Sequence, residues 1–464
     1  MEKNLFLKNF KIKGLFGIYD VDIPFKNNYN IFVGENGLGK TTILNALNYV
    51  LQGDGESLST IDFERIIITL GNNEELVIKH EDLDNSRFSS FTKTYSYSSI
   101  HDDDYSNLTK RVILEILKDV KSLKKLNEKE TKEKILKKYK YELPSYIIER
   151  IYRTMINNQD IEIELKQSWE YKINKYMKNW KDIIYLPTYR RIEEDFNNLI
   201  ENVPDKDYYR KNKKKNNFSY LQFGMDDVEE AILNACTTLK NNTNEGFKEM
   251  TSNLLTNYIK IEENGLKNFE AFKEKKLDSS SLNIVFSRLA DKIDTNVTRK
   301  ITEMIENKNF NDDKYSRFLL TIINELSNIY EKNKQIDENL ENFKTVCNNY
   351  LVNKKMVYDK FKIECKVIQD KDDTGISLKN LSSGEKQILS LFSKLYLNTN
   401  EKSIILFDEP ELSLSIIWQK KLIPDIISSG KCGFIMVITH SPFIFDNDYK
   451  FHTMDIKEYI KYTE

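Results

Sequence analysis

A glycine-rich segment near the N-terminus constrains this 464-residue chain more than any other feature. Residues 34–41 read GENGLGKT and lie between a short run that predicts a buried strand, residues 30–33, and a segment in which apolar residues recur at helical spacing. In that context the backbone N–H groups of the loop wrap phosphates, and the helix N-terminus adds partial positive charge. The residues predicted to contact a nucleotide here are Gly34, Asn36, Gly37, Gly39, Lys40, Thr41 and Thr42.

The end of this segment predicts the chemistry of the site. Lys40 is expected to contact the β- and γ-phosphates of ATP as part of the catalytic set, and Thr41 to ligate Mg²⁺. The alternative is an ordinary glycine-rich turn with a capping threonine. ATP and Mg²⁺ are therefore the predicted cofactors.

An acidic pair follows an apolar run near the C-terminus. Residues 404–407 predict a buried strand with Asp408 and Glu409 at its carboxyl end, where doubly wound sheets bind ligands. Asp408 is predicted to hold Mg²⁺ through water, and Glu409 to act as the general base on the attacking water. His440 comes after another strand-like run, residues 434–439, and is predicted to read the γ-phosphate. The alternatives are a solvated strand end for the acidic pair and a structural histidine.

Residues 381–385 read LSSGE and form the decisive motif. Ser382 and the backbone of Gly384 open a predicted helix and can donate to phosphate, although a serine N-cap with Glu385 at the third position also forms a capping box. The segment resembles the signature of the ATP-binding-cassette (ABC) superfamily, usually Leu-Ser-Gly-Gly-Gln. Here Ser383 stands in place of the first glycine and Glu385 in place of the glutamine. This variant is similar to the SMC, Rad50, RecF and OLD branch rather than to membrane transporters.

The resemblance implies an assembly. Two heads would pair head-to-tail, with Ser382, Gly384 and Glu385 of one subunit contacting the ATP bound to the other. Residues 411–414 resemble the D-loop of the family, which implies that Ser413 lies near the seam of this dimer. A higher homo-oligomer is also compatible with such pairing.

The order of the motifs predicts an α/β fold. It is an ABC-type P-loop ATPase head built from the two ends of the chain, with a long α-helical, coiled-coil-like insertion. The predicted head segments are residues 1–105 and 361–464, the insertion covers 106–180 and 196–360, and 181–195 supply a strand that returns to the head. A helix predicted over residues 316–358 has apolar residues at heptad-like spacing, which fits a packed bundle as well as a protruding antiparallel hairpin.

The returning strand, residues 183–186, leads into a segment that departs from the family pattern. No clean Q-loop glutamine is present, because the next residues are Pro187-Thr188-Tyr189-Arg190-Arg191. Either Tyr189, Arg190 or Arg191 takes that role, or these side chains have a plain surface role.

Composition excludes several classes of protein. Lys+Arg 70 against Asp+Glu 72 gives a net charge of −2, so no global attraction to nucleic acid is expected. The basic run at residues 210–215 fits a phosphate backbone or a solvated loop. No stretch reaches the roughly 20 apolar residues of a membrane span, and no signal peptide is recognisable. The four cysteines lack CxxC spacing, which favours reduced thiols and a cytoplasmic location.

The function that these motifs favour also comes from resemblance. The run DEPELSLS at 408–415 with Trp418-Gln419, the residues LPTYRR at 186–191 and the segment 223–228 resemble ATPase subunits of the PARIS and Septu antiphage defence systems. This implies an oligomeric scaffold that senses a phage-encoded trigger and controls a separately encoded nuclease, of Toprim type (PARIS) or HNH type (Septu). Only 24 residues come after His440 and the chain has four histidines, so neither nuclease domain is expected within it. A RecF- or Rad50-like repair ATPase is the alternative enzyme, and an interaction protein with a degenerate ATP site the alternative outside enzymes.

Overall fold

The computed structural model describes residues 5–35, 37–85, 128–139, 168–178, 180, 182–187, 225–264, 279–288, 299–301, 303, 314–398 and 402–463. They belong to two compact units, unit 1 from residues 1–221 and 401–464, and unit 2 from residues 222–400. The domain boundaries predicted from the sequence at residues 105, 180, 195 and 360 stay predictions. Residue 36, the residues at 188–191 and the basic run at 210–215 lie outside the described part.

A parallel sheet forms the centre of unit 1. Its order is β12-β3-β11-β10-β6, and every neighbouring pair is parallel. All residues of β10 and β11 are buried, as expected for strands whose two faces are both covered. The strands are β3 Tyr29–Val33, β6 Ile183–Leu186, β10 Ser403–Asp408, β11 Cys432–Thr439 and β12 Thr453–Asp455.

Both ends of the chain contribute to this sheet, since β3 lies between β11 and β12. The strand predicted at residues 183–186 is confirmed, because β6 pairs in parallel with β10. The hydroxyl of Tyr185 on β6 donates a hydrogen bond to Asn45. The α/β P-loop fold with a shared head sheet is thereby confirmed.

An antiparallel sheet is the second layer of unit 1, in the order β13-β2-β1-β4-β5. Its inward residues, among them Phe10 and Ile68, share one core with the first helix and with Met436 of the parallel sheet. These strands are β1 Leu7–Leu15, β2 Tyr19–Pro24, β4 Arg65–Leu70, β5 Glu75–Lys79 and β13 Ile460–Tyr462.

The first helix of unit 1 begins at Lys40 and Thr41, directly after the glycine-rich loop. It runs from Lys40 to Gln52, and Gly53 ends it in the left-handed region at φ 68°. Its apolar face contributes Ile43, Leu47 and Val50 to the core. The unit 1 helices are α1 Lys40–Gln52, α2 Gly55–Ser59, α3 His80–Asn85, α4 Glu128–Tyr139, α5 Trp169–Met177 and, in chain order after unit 2, α10 Ile416–Ser428.

In the described part of unit 2, four longer helices accompany a small antiparallel sheet of order β7-β8-β9. The third of these helices packs against the other three, which is the packing of a bundle. The elements are α6 Met225–Asn264, α7 Ser279–Arg288, α8 Lys314–Asn348, β7 Lys354–Asp359, β8 Glu364–Gln369, β9 Gly375–Ile376 and α9 Ser383–Leu397.

The helix predicted over residues 316–358 is wrong at its C-terminal end. Helix α8 ends at Asn348, and residues 354–359 form β7. Asn353 adopts φ 61°, a left-handed conformation that a helix does not tolerate. The apolar residues of β7 fall at a spacing that either structure can use, so the pattern alone did not mark the boundary.

A buried ion pair joins the elements of unit 2. Nη2 of Arg288 lies 2.6 and 2.8 Å from the two carboxylate oxygens of Asp337, and the two side chains are 3 and 5% exposed. The hydroxyl of Tyr358 donates to the same carboxylate, and Arg288 Nε donates to the carbonyl oxygen of Lys360. Helices α7 and α8 are thus fixed to β7. Of the helices that the structure describes, none is both long and apolar enough to cross a membrane.

Candidate nucleotide site

Lys40 lies at the start of α1 with its ammonium group turned back into the glycine-rich loop. Its Nζ donates to the carbonyl oxygens of Gly34 at 3.0 Å and Glu35 at 2.7 Å. The same Nζ lies 2.7 Å from Nε2 of His440, which comes directly after β11. Burial lowers the pKa of Lys40, although the nearby carboxylates act in the opposite direction. The lysine is therefore a buried cation that carbonyl oxygens hold in place.

The predicted magnesium ligands lie side by side. Thr41 Oγ1 donates a hydrogen bond of 2.7 Å to Oδ2 of Asp408, the last residue of β10. Asp408 is fully buried. A hydroxyl and a carboxylate are the oxygen donors that Mg²⁺ prefers, so the donor set fits this ion. The structure thus brings together two residues that the sequence analysis assigned to the metal from opposite ends of the chain.

The backbone of the loop has the shape that its glycines permit. A Cβ on Gly34 would lie 2.4 Å from Cγ2 of the buried Ile456, so only glycine allows this close approach. Gly39 caps α1 at φ 70°, in the left-handed region. Gly37 has φ 89°, in the left-handed region, and a Cβ there would meet no atom of the described residues within 4 Å. Asn36, which lies between Gly34 and Gly37 in the sequence, is outside the described residues.

Glu409 and His440 face each other at the ends of neighbouring strands. Nε2 of His440 lies 3.7 Å from Oε1 of Glu409, and both side chains are partly exposed. Glu409 has φ 46°, unusual for a residue with a side chain, and its N–H donates to the carbonyl oxygen of Ile438 at 2.8 Å. The strained turn aims the carboxylate at the edge of the sheet where Lys40 and Thr41 lie.

Glu411 completes the site and was not predicted as a functional residue. One of its oxygens accepts hydrogen bonds from N–H of His440 at 2.7 Å and of Ser441 at 3.1 Å. The other accepts from Oγ1 of Thr439 at 2.7 Å. The sequence does show an acidic residue in the turn after β10, at the sheet edge where β11 also ends. No local pattern shows which hydrogen-bond donors this carboxylate contacts.

Two further residues of unit 1, Thr42 and Ser413, are also predicted site residues. Among the described residues, no contact of their side chains defines a role. Thr42 is the third residue of α1 and is half-buried. Ser413 is exposed and adopts φ 67° in the turn between β10 and α10. Their assignments to ATP and to a dimer seam stay predictions.

The signature residues belong to unit 2, where they begin α9. Ser382 is the N-cap of this helix and forms a capping box with Glu385, which confirms that alternative for the local structure. The Glu385 carboxylate accepts from N–H of Ser382 at 2.9 Å and from its hydroxyl at 2.8 Å. Gly384 is buried in the first turn. A capping role and a role toward phosphate are compatible, because the helix N-terminus still presents its N–H groups.

Lys354 on β7 holds the signature glutamate and was not foreseen. Its Nζ lies 3.0 Å from both oxygens of Glu385. Burial alone would raise the pKa of Glu385, but the N–H of Ser382 and the ammonium group of Lys354 outweigh it and lower the pKa. The glutamate that replaces the usual glutamine is therefore present as an anion with its own counter-ion. No local sequence signal links residues 31 positions apart.

Comparison with known proteins identifies a matching family and one relative that aligns with part of the chain. The family profile described as "AAA ATPase domain" matches residues 5–292 and 286–445. The protein named "Retron Ec83 probable ATPase" from Escherichia coli is 36% identical over 87 residues, which is 16% of this chain and 16% of that protein. The aligned part thus spans only 16% of the length of this relative.

Solved structures of Smc head domains also align with the chain. One is the head with an extended coiled coil bound to the C-terminal domain of ScpA, from Pyrococcus furiosus, at 15% identity and a TM-score of 0.32, covering 95% of this chain and 90% of that one. Another is the head with a coiled coil and joint from Pyrococcus yayanosii, at 16% identity and a TM-score of 0.30, covering 95% and 93%. At TM-scores this low, no conclusion rests on the likeness.

Proposed function

The chain belongs to the AAA ATPase domain family, and we propose that it is an ABC-type ATPase subunit that binds and hydrolyses ATP with Mg²⁺. The observation that carries the proposal is the convergence of Lys40, Thr41, Asp408, Glu409 and His440 at one edge of the parallel sheet. They come from three separate strand ends. A site of this composition supplies a cation for phosphate, oxygen donors for a metal and a base for water.

Each residue has a separate task in this scheme. Lys40 donates hydrogen bonds to phosphate oxygens, in exchange for those it now gives to Gly34 and Glu35. Thr41 and Asp408 hold Mg²⁺, which when bound neutralises the charge of the phosphates. Glu409 orients the attacking water and accepts its proton. His440, within hydrogen-bond distance of Lys40, donates to the terminal phosphate.

The second half of the site is proposed to come from another copy of the chain. The support is the N-terminus of α9, where Ser382 and the anionic Glu385 form a rigid cap. In the ABC resemblance this segment faces the ATP of the opposite subunit, so hydrolysis depends on pairing. Ser413, in the exposed turn next to Glu409, is proposed to lie at the seam of that dimer.

The biological role that we propose is antiphage defence of the PARIS kind. The ATPase would form an oligomeric scaffold in the cytoplasm, hold a separately encoded toxin nuclease in check, and release it when a phage-encoded trigger binds. The support is the resemblance of residues 408–415 and 186–191 to ATPase subunits of PARIS systems. A relative named as the probable ATPase of a retron adds to it. A Septu-type partner with an HNH nuclease, and a RecF- or Rad50-like repair role with DNA, are alternative outcomes of one experiment.

That experiment uses the tagged Glu409→Gln protein, expressed with its neighbouring genes and purified with ATP and Mg²⁺. The substitution removes the base but leaves the phosphate contacts, so an ATP-bound assembly should accumulate. Mass spectrometry of the co-purified material identifies the partner, and Glu74→Gln, the same change in the exposed β4–β5 turn, is the control. A stoichiometric nuclease supports the defence role, whereas DNA or recombination proteins without a nuclease support repair. Unchanged ATP hydrolysis by Glu409→Gln would contradict the ATPase scheme itself.

A further inference from the structure

The end of β11 is built around one carboxylate. Three successive residues, Thr439, His440 and Ser441, direct a hydroxyl and two N–H groups at Glu411, at 2.7, 2.7 and 3.1 Å. A carboxylate that accepts several such bonds makes shorter and stronger bonds than a neutral acceptor. The backbone of His440 is therefore held by the turn after β10 as well as by its own strand.

The same glutamate lies in the turn that carries the base. Leu414 N–H donates to the Glu411 carbonyl oxygen at 3.1 Å, and Leu412 N–H donates to that of Glu409 at 3.3 Å. Within this short turn, Glu409 at φ 46° and Ser413 at φ 67° are both in the left-handed region. Two strained residues need surrounding bonds to keep the turn in one conformation.

Helix α10 supports the arrangement from a third direction. The hydroxyl of Ser441 donates to Oε1 of Gln419 at 2.6 Å. Nε2 of the same glutamine donates to the Leu414 carbonyl oxygen at 2.9 Å. Gln419 thus connects the turn after β10 with the end of β11, the same two segments that Glu411 connects.

We propose that Glu411 is a positioning residue that sets His440 and Glu409 relative to each other, so that the phosphate-reading imidazole and the base reach their working places together. The inference rests on the proposed ATPase function. It predicts that Glu411 acts through His440 without touching the nucleotide, because its oxygens are already occupied by main-chain and hydroxyl donors of residues 439–441.

The test is Glu411→Gln, which replaces one acceptor oxygen by an NH₂ group that would face N–H or O–H donors. We expect the rate constant kcat of ATP hydrolysis to fall on the order of 10²-fold, the scale of a misplacement of about 1 Å, with KM little changed. Fluorescent-nucleotide binding should stay within twofold of that of the wild type. Hydrogen exchange of the amides of residues 440 and 441 should become faster by about tenfold or more in nucleotide-free Glu411→Ala, because that variant has no acceptor oxygen for them.

A double-mutant cycle distinguishes positioning from general support. If Glu411 acts through His440, Glu411→Gln costs little further activity in a His440→Ala background. Glu411→Asp, which keeps the charge, should retain more activity than Glu411→Gln. Glu74→Gln is the matched control for the chemical change. Should Glu411→Gln prove too unstable to purify, Thr439→Val removes one of the three bonds and should give a smaller loss in the same direction.

The outcomes separate this inference from the function on which it rests. An inactive wild-type protein would overturn the ATPase function, while the exchange of residues 440 and 441 would still report whether Glu411 holds them. An active wild type whose Glu411→Gln variant keeps kcat overturns the positioning role alone. Additive losses of Glu411→Gln and His440→Ala would also overturn it.

Discussion

Thr41 donates a hydrogen bond to Asp408 across 367 positions of sequence, and the two oxygens lie 2.7 Å apart. The hydroxyl gives its one hydrogen to the carboxylate and keeps its lone pairs for a cation. In the proposed site this bond orients Thr41 before Mg²⁺ binds. It also ties the start of α1 to the end of β10, the two elements that carry the proposed phosphate and metal ligands.

The first prediction concerns this pair. Thr41→Val keeps the shape of the side chain but removes the hydroxyl, so the apparent affinity for Mg²⁺ in ATP binding and hydrolysis should fall by about 10–100-fold. Thr41→Ser retains the hydroxyl and should stay close to wild type. The measurement is fluorescent-nucleotide binding titrated with Mg²⁺. An unchanged Mg²⁺ dependence in Thr41→Val would show that the metal is held elsewhere.

The second prediction concerns Lys40. Lys40→Met removes charge-assisted hydrogen bonds worth about 1.5–3 kcal/mol each, so ATP affinity should fall at least tenfold, by calorimetric titration. The nucleotide-free protein should become more stable, since burial disfavours the charged lysine.

The stability that Lys40→Met gains should depend on pH with a definite sign. Because the pKa of Lys40 is lowered on folding, the unfolded chain binds more protons between the lowered value and the ordinary 10.5, and wild-type stability rises with pH in that window. The advantage of Lys40→Met should thus be greatest near neutral pH and shrink toward pH 10.5. Urea unfolding at neutral and alkaline pH measures it, and a gain that grows with pH would contradict the assignment.

Local patterns were sufficient to predict most elements around the site. Strands β3, β10 and β11 are short apolar runs that end on the site residues, and α1 has clear helical spacing after Gly39. Because parallel strands present their carboxyl ends at one edge, the motif order together with the family resemblance predicted that Asp408 and Lys40 would belong to one site.

The features that sequence patterns missed or misplaced depend on tertiary contacts. Glu411 and Lys354 act through partners 28 to 31 positions away, and their partners are main-chain N–H groups or a side chain in another element. The C-terminal end of α8 was misplaced because β7 pairs with β8, a choice that helical spacing does not show. Sequence patterns predict which faces are buried, but not which polar groups meet across them.

The third prediction concerns the buried ion pair of unit 2. Arg288→Met leaves the Asp337 carboxylate buried without its cation, which typically costs about 3–5 kcal/mol of the free energy of unfolding. Lys332→Met is the matched control, because that lysine forms an exposed pair with Glu249, with side chains 64 and 63% exposed. It should leave the free energy of unfolding close to that of the wild type, because exposed ion pairs contribute little. Urea unfolding followed by circular dichroism compares the two, and equal effects would show that the burial of Arg288 is not what matters.

The last prediction concerns the counter-ion of the signature helix. Lys354→Met removes the ammonium group beside Glu385. Because that group opposes the effect of burial on the Glu385 carboxyl, the pKa of this carboxyl should rise. In the wild type the stability that the ionised carboxylate contributes is present above the ordinary pKa and is lost as pH falls through the lowered value. In Lys354→Met this stability should be lost at a higher pH.

The double variant Lys354→Met/Glu385→Gln has neither charge and should recover part of the stability that either single change costs, with a coupling of about 0.5–3 kcal/mol. Unfolding at pH 7 and under mild acid measures all four proteins, and strictly additive effects would mean that Lys354 and Glu385 do not depend on each other.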